Sequence, residues 1–425
     1  MTYDNGNKFF VGYAREDITP TVYPCGMDGE NVASSAYDPM YATAIALSDG
    51  ETTAILLTLD VVNISKSMFK EMIDGITEQT NVPAENIYIH SVHNHSSPMY
   101  VLAEEVKEGA CVAWRLDTIK KTPLAAKKAI DDLSAAEAYV GKCNAEGLNL
   151  VRKRQYEQGA DPEMQVIRFI REGKKDVILA NWQAHPASSV SSKYISADFI
   201  GSFREDVEAK NDVLFAYFNG ANGNLNVDID KSKERIIVVR EIGHKLAETL
   251  NTLLSDTEAM KKAKLGKIRN AAIEYPAPIN PVDDKELADK VMELFEADKF
   301  SNETAQALGL ESVYILRALK NRILLMRNGS TSQPIPLWAL SFGDIGFGLV
   351  PYEMFDRNGM QIKRESPFEM TFVCTLVGPA GYGGYIPSGA EFGKGVYEVW
   401  VCLYKPGIGE ELADGVIKLL EDTKE

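Results

Sequence analysis

Three of the five histidines in this chain, His90, His93 and His95, fall in one short segment, HSVHNHSSP. On an extended strand, residues two apart face the same way, so His93 and His95 present two imidazoles to one side. Imidazole suits zinc at neutral pH, and the pair points to metal binding or catalysis. His90 precedes His93 by three and faces the opposite side, where packing is expected. A fourth histidine, His185, ends the apolar run before Pro186 in NWQAHP and is also placed at a strand end. His244, in EIGHKLAE, reads as a surface residue of a helix. A catalytic zinc site takes a third protein ligand and keeps one position open. Glu353, after GFGLV and a proline, fits either a ligand on a short turn or an acidic residue at a helix start.

Two loops follow strands. FNGANGNLNVD (218–228) lets backbone approach a ligand closely, because Gly and Asn tolerate positive φ. It has neither the lysine of a P-loop nor the spacing of a dinucleotide loop, which argues against nucleotide binding. GPAGYGGYIPSG (378–389) carries Tyr382 and Tyr385, either as packing caps or as site groups.

The elements that must position these residues are legible from apolar spacing. Residues 53–62 form a continuous apolar run, expected as a strand buried on both faces. Helical spacing over 67–79 and a strand over 86–92 complete a βαβ unit that delivers the histidines at the carboxyl end of the strand, where ligand sites of open α/β sheets favour lying. A hairpin is expected over 165–184. A helix over 198–210, a strand over 213–218 and a helix over 232–254 follow. Strands resume in PIPLWALSF, IGFGLV, TFVCTLV and YEVWVCLY, and a helix covers 409–421. The fold class expected is α/β: mixed β-sheets flanked by helices, in one large domain (1–425) with a helical insertion or lid within 256–330.

Length and composition bound the function. A chain of 425 residues allows about three domains at roughly 150 residues each, although α/β units run larger. The formal charge of −16 excludes tracking of nucleic acid or of an anionic membrane surface. No apolar run reaches the roughly 18 residues of a membrane span. The segment MTYDNGN has no basic or apolar export region. The five cysteines are widely spaced, without a C-x-x-C pair, and are expected to pack as small hydrophobes in a reducing, cytoplasmic setting.

In order, these segments resemble the neutral, non-lysosomal ceramidase family and its bacterial relatives. VGYAREDITP (11–20) is similar to the family's opening strand and turn. The H-T-H-S-G-P motif stands here as His93-Asn94-His95-Ser96-Ser97-Pro98, and the N-W…H-P segment as Asn181 to Pro186. The carboxyl-terminal motifs stand as Gly343-Asp344, Val350 to Glu353, Ser366 to Val373 and Gly381 to Pro387. The resemblance implies zinc held by His93, His185, Glu353 and Tyr385. It places His95 against the substrate carbonyl or the attacking group, and Tyr397 beside the reacting centre. Arg152 matches a substrate-side arginine, with Arg154 as a competitor.

One departure bears on mechanism. The family's N-S-G-D loop reads Ala221-Asn222-Gly223-Asn224 here, so Asn222 stands where the proposed serine nucleophile would be. A carboxamide is no alkoxide nucleophile, but it donates hydrogen bonds to an oxyanion. The family's carboxyl-terminal sandwich domain has no counterpart in this sequence. The expectation is a zinc-dependent hydrolase of an amide (N-acyl) bond in a small-molecule substrate other than ceramide. The alternatives are an esterase or deacetylase of a small polar metabolite, and a metal-binding homologue without catalysis.

Overall fold

In Tyr41–Ser48, Ala42, Ala44 and Ala46 point one way and Ile45 and Leu47 the other, and all five are fully buried. A period of two with both faces apolar requires a sheet covered on both sides. The computed structural model, which describes residues 8–27, 31–99, 109–152, 159–189, 193–256, 258–380 and 384–424, has that arrangement. Phe9–Asp17 (β1), Tyr41–Ser48 (β2), Thr53–Leu59 (β3), Ile87–Ser91 (β4), Ser134–Asn144 (β5), Glu163–Arg171 (β6), Val177–Trp182 (β7) and Leu214–Asn219 (β8) run in the order β8-β7-β6-β5-β1-β2-β3-β4. Lys261–Ala263 (β9) adds to β5. Only β3–β4 and β7–β8 pair in parallel within this order.

Each parallel pair is bridged by a helix, as the parallel connection demands. Lys66–Thr80 (α1) starts where Ser65 accepts the Met68 N–H and ends at Asn81 in the left-handed region. Its Met68, Met72 and Ile76 pack with Ala110–Asp131 (α2) against the alanine face of β2. Phe199–Asn211 (α3) and Arg235–Ser255 (α4) cover the outer face of β6, β7 and β8.

The inner face of this sheet packs on a second one. Ile268–Pro278 (β10), Ser332–Phe342 (β11), Ile345–Leu349 (β12) and Met370–Cys374 form a four-stranded sheet, with Glu353–Met354 (β13) as a short strand between the last two. Phe342, Phe347 and Phe372 meet Phe9, Phe169 and Phe218 of the first sheet in one core. The outer face is covered by the helix Ile408–Thr423; a Cβ on Gly348 would lie 2.6 Å from Val416, so the glycine lets the helix close.

Several expectations change here. Within the segment 256–330, the residues before 285 hold β9 and β10, and the helices Lys285–Glu296 (α5), Asn302–Ala307 (α6) and Val313–Arg327 (α7) fall between β10 and β11. The expected strand YEVWVCLY is helical over Tyr397–Val401. Its apolar residues face two different clusters, Trp400 toward α7 and Val399 toward Tyr385, so no single period-two face exists and packing decides the conformation. All five cysteines are free, yet the fold brings Cys25 and Cys111 to an Sγ–Sγ separation of 3.5 Å, which their spacing did not suggest. Among the described residues no helix is long and apolar enough to cross a membrane.

The outer edge of β8 is sealed by side chains. Tyr13 Oη donates to Phe215 O and Thr58 Oγ1 to Tyr217 O, while the Asn219 N–H donates to His90 Nε2. These bonds satisfy an edge that would otherwise be unpaired. They also bring the carboxyl ends of β4 and β8 together, although these strands lie at opposite ends of the sheet order.

Candidate functional site

The site is built where those strand ends meet. His93 and His95 do not lie on β4, contrary to the pattern read from the sequence: the strand ends at Ser91, and His93 takes a left-handed conformation at φ 70°. The turn, rather than the pleat, aims the two rings together, with centroids 4.6 Å apart. A left-handed non-glycine residue is strained, and such strain clusters at functional sites. The loop is held by the Asn94 side chain, which donates to Asp60 O and Ser196 O, and by the His95 N–H, which donates to Pro186 O.

Backbone carbonyls fix the tautomers. His93 Nδ1 donates to Val62 O at 3.0 Å. His185 Nδ1 donates to Asn222 O and Leu225 O, both at 2.9 Å. Each Nε2 is therefore left with a lone pair directed inward, the pattern by which metal-ligating histidines are oriented. Glu353 Oε2 stands 2.8 Å from His185 Nε2 and 3.2 Å from His93 Nε2. Ligand atoms of His93, His95 and His185 lie within 4.8 Å of one another. Acceptors gathered this closely need a cation or a proton between them, and this donor set fits a divalent metal.

Burial opposes a charge on His93, but the Glu353 carboxylate outweighs it and raises the pKa. For His185, burial and then the Arg152 guanidinium push the pKa down to about 3, so the ring is neutral. Burial opposes ionisation of Glu353, yet His93 and His185 hold it well below the usual carboxylate range.

The remaining expected residues surround this group. Glu353 opens β13, which pairs in parallel with Tyr385–Ile386; it is on a short strand, neither a turn nor a helix start. The Tyr385 ring lies 6.4 Å from that of His185 and 6.0 Å from that of Tyr397. Arg152 places its guanidinium over Tyr385, 3.2 Å from His185 Nε2. Asn222 is fully buried, and among the described residues its Nδ2 has no hydrogen-bond partner. Tyr382 and Arg154 lie outside the described residues.

Two residues of the site were not singled out from the sequence. Glu398 is buried and accepts from Arg152 Nε at 2.7 Å, fixing the arginine from a position 246 residues away. Asn219 donates through Nδ2 to Val92 O and Ala184 O, tying both histidine segments together. Its place at a strand end beside a glycine was the one available clue. His90 does pack, as expected, but it also forms the seam of the sheet: its Nδ1 meets Thr58, its Nε2 accepts from Asn219, and burial lowers its pKa to about 3. His244 pairs with Asp206 on the helical surface, away from the other four.

No family model matches the chain, and no curated protein matches it in sequence. Among solved structures, the neutral ceramidase from Pseudomonas aeruginosa superposes with a TM-score of 0.74 over 98% of this chain and 74% of its own, at 15% identity. A ceramidase complexed with C2 superposes equally, TM-score 0.74, over 98% of this chain and 75% of its own, at 14% identity. The resemblance read from the motifs thus holds for the architecture, and the chain has the neutral ceramidase fold.

Proposed function

We propose that the protein is a zinc-dependent hydrolase of an amide (N-acyl) bond. The observation that carries this reading is the convergence of His185 Nε2 and His93 Nε2 on Glu353 Oε2, at 2.8 and 3.2 Å, with both Nδ1 atoms already engaged. Tyr385 is the proposed fourth ligand. A bound zinc supplies Lewis acidity, polarising the acyl carbonyl and acidifying water toward neutral pH.

The chain's own groups do the rest. His95 is half-buried, the most accessible of the three clustered histidines, and is the proposed carrier of the proton from water to the leaving amine. Burial raises the Tyr397 phenol pKa, so the hydroxyl keeps its proton and donates to the developing oxyanion. Asn222 supplies a second donor from its unpartnered Nδ2. Arg152, clamped by Glu398, orients Tyr385. Ester bonds are open to the same groups.

Metal analysis of the purified protein tests the centre: close to one zinc per chain is expected, lost in a His93→Ala, His185→Ala double variant. Zinc retained in that variant sinks the assignment. A panel of N-acyl amides and esters tests the chemistry; zinc-loaded protein inert to all of it favours a metal-binding homologue without catalysis.

A further inference from the structure

A cavity of about 400 Å³ opens beside His185 and Arg152. Its volume is that of a small-molecule site. Among the described residues its wall is cationic: Arg152, Lys231 and Arg235 line it against the one carboxylate of Asp228. The charge of Arg152 is taken by Glu398. Among the described residues neither Lys231 nor Arg235 forms an ion pair. Arg235 Nη1 is also buried without any hydrogen-bond partner.

Arg235 lines the cavity with no carboxylate among the described residues paired to it, and an oxyanion that enters would supply that partner. The position is well defined. Arg235 begins α4, and the adjoining strand Leu225–Val227 pairs with Asn149–Val151, which leads directly to Arg152. The same strand holds His185, whose N–H donates to Leu225 O. The cavity and the proposed metal centre therefore share one wall.

We infer that this cavity is an anion subsite: it takes a carboxylate or phosphate carried by the substrate, with Arg235 as the specificity-determining residue and Lys231 adding charge at the rim. The inference rests on the reading of the neighbouring centre as an amide hydrolase, and it narrows the substrate to a small, anionic N-acyl compound. Arginine suits the task because its planar fork meets a carboxylate or phosphate with two parallel bonds. An alkyl chain placed in the same cavity would bury these cations without partners.

The test is calorimetric titration of zinc-loaded protein with N-acetylglycine, N-acetylethanolamine phosphate and uncharged N-acetylglycinamide, with acetate release followed in parallel. At least one anionic probe is expected to bind about tenfold tighter than the amide, or more. Arg235→Gln should collapse that ratio with zinc content unchanged, and Arg235→Lys should restore part of it. Whichever anion is preferred identifies the group. Equal affinities, a preference that survives Arg235→Gln, or binding of none of the three overturns the subsite. An Arg235-dependent preference without acetate release sinks the hydrolase reading alone. Acetate released at equal kcat/KM from all three, insensitive to Arg235→Gln, overturns the subsite and leaves that reading standing.

Discussion

The Asn222 carboxamide is wholly buried, and its Nδ2 finds no partner although its backbone oxygen orients His185. An unsatisfied buried donor costs roughly 1–3 kcal/mol, so the residue weakens the fold where it stands. Such a donor is retained at a site when it is used in the transition state. Asn222→Ala should lower kcat by about 10²-fold or more, as loss of one oxyanion donor does, with zinc content kept and little loss of thermal stability. Steady-state kinetics with metal analysis and a melting curve check this; an unchanged kcat removes Asn222 from the mechanism. The histidines were recognisable in sequence because imidazole is rare in this chain and clustered. Glu398 was not, since a carboxylate on a five-residue helix has no distinguishing neighbours until Arg152 is folded against it.

Among the elements, the loop after β8 and the short strand β13 approach so closely that only glycine fits between them. A Cβ on Gly223 would lie 2.4 Å from Glu353 O, and the Gly223 N–H donates to Met354 O at 2.8 Å. The loop thus fixes the strand that carries Glu353. Gly223→Ala should move that strand and weaken zinc binding by about 10–100-fold, the range for lost support of a ligand. Competition with a chromophoric chelator measures it, and wild-type affinity in the variant would refute the coupling. The βαβ unit leading to His93 was legible from apolar spacing alone, since the period of a strand or helix is local. The helix Tyr397–Val401 was not legible, because its residues are apolar on more than one side and the choice falls to packing.

For the whole molecule, stability against pH follows from buried acids. Asp38 accepts from the Ala197 N–H and Ser196 Oγ, joining the segment before β2 to the start of α3. Burial raises its pKa to about 6, with Arg204 and these bonds acting the other way. A raised carboxyl means that the folded state holds its proton longer than the unfolded chain. The contribution is full below about pH 4 and is lost as pH rises through 6. By that linkage the loss is about 3 kcal/mol, at 1.36 kcal/mol per pKa unit. A carboxamide at this position imitates the protonated acid, so Asp38→Asn should match wild type near pH 4 and exceed its stability at pH 7. Urea unfolding at both pH values tests this; a difference that does not change with pH contradicts it.

The sequence by itself determined what depends on near neighbours: the apolar runs of the strands, the spacing of the first helix, the histidines after apolar runs, and loops unsuited to nucleotides. Motif order also carried the architecture, which the solved ceramidase structures match over 98% of the chain. Only the tertiary structure decided which groups meet. His93 and His185 follow strands far apart in the sheet order, and they converge because side chains of Tyr13, Thr58 and His90 seal the edge of β8. The unpartnered Arg235 belongs to the same class. Its isolation is a property of the cavity, and a cavity exists only once distant segments have packed around it.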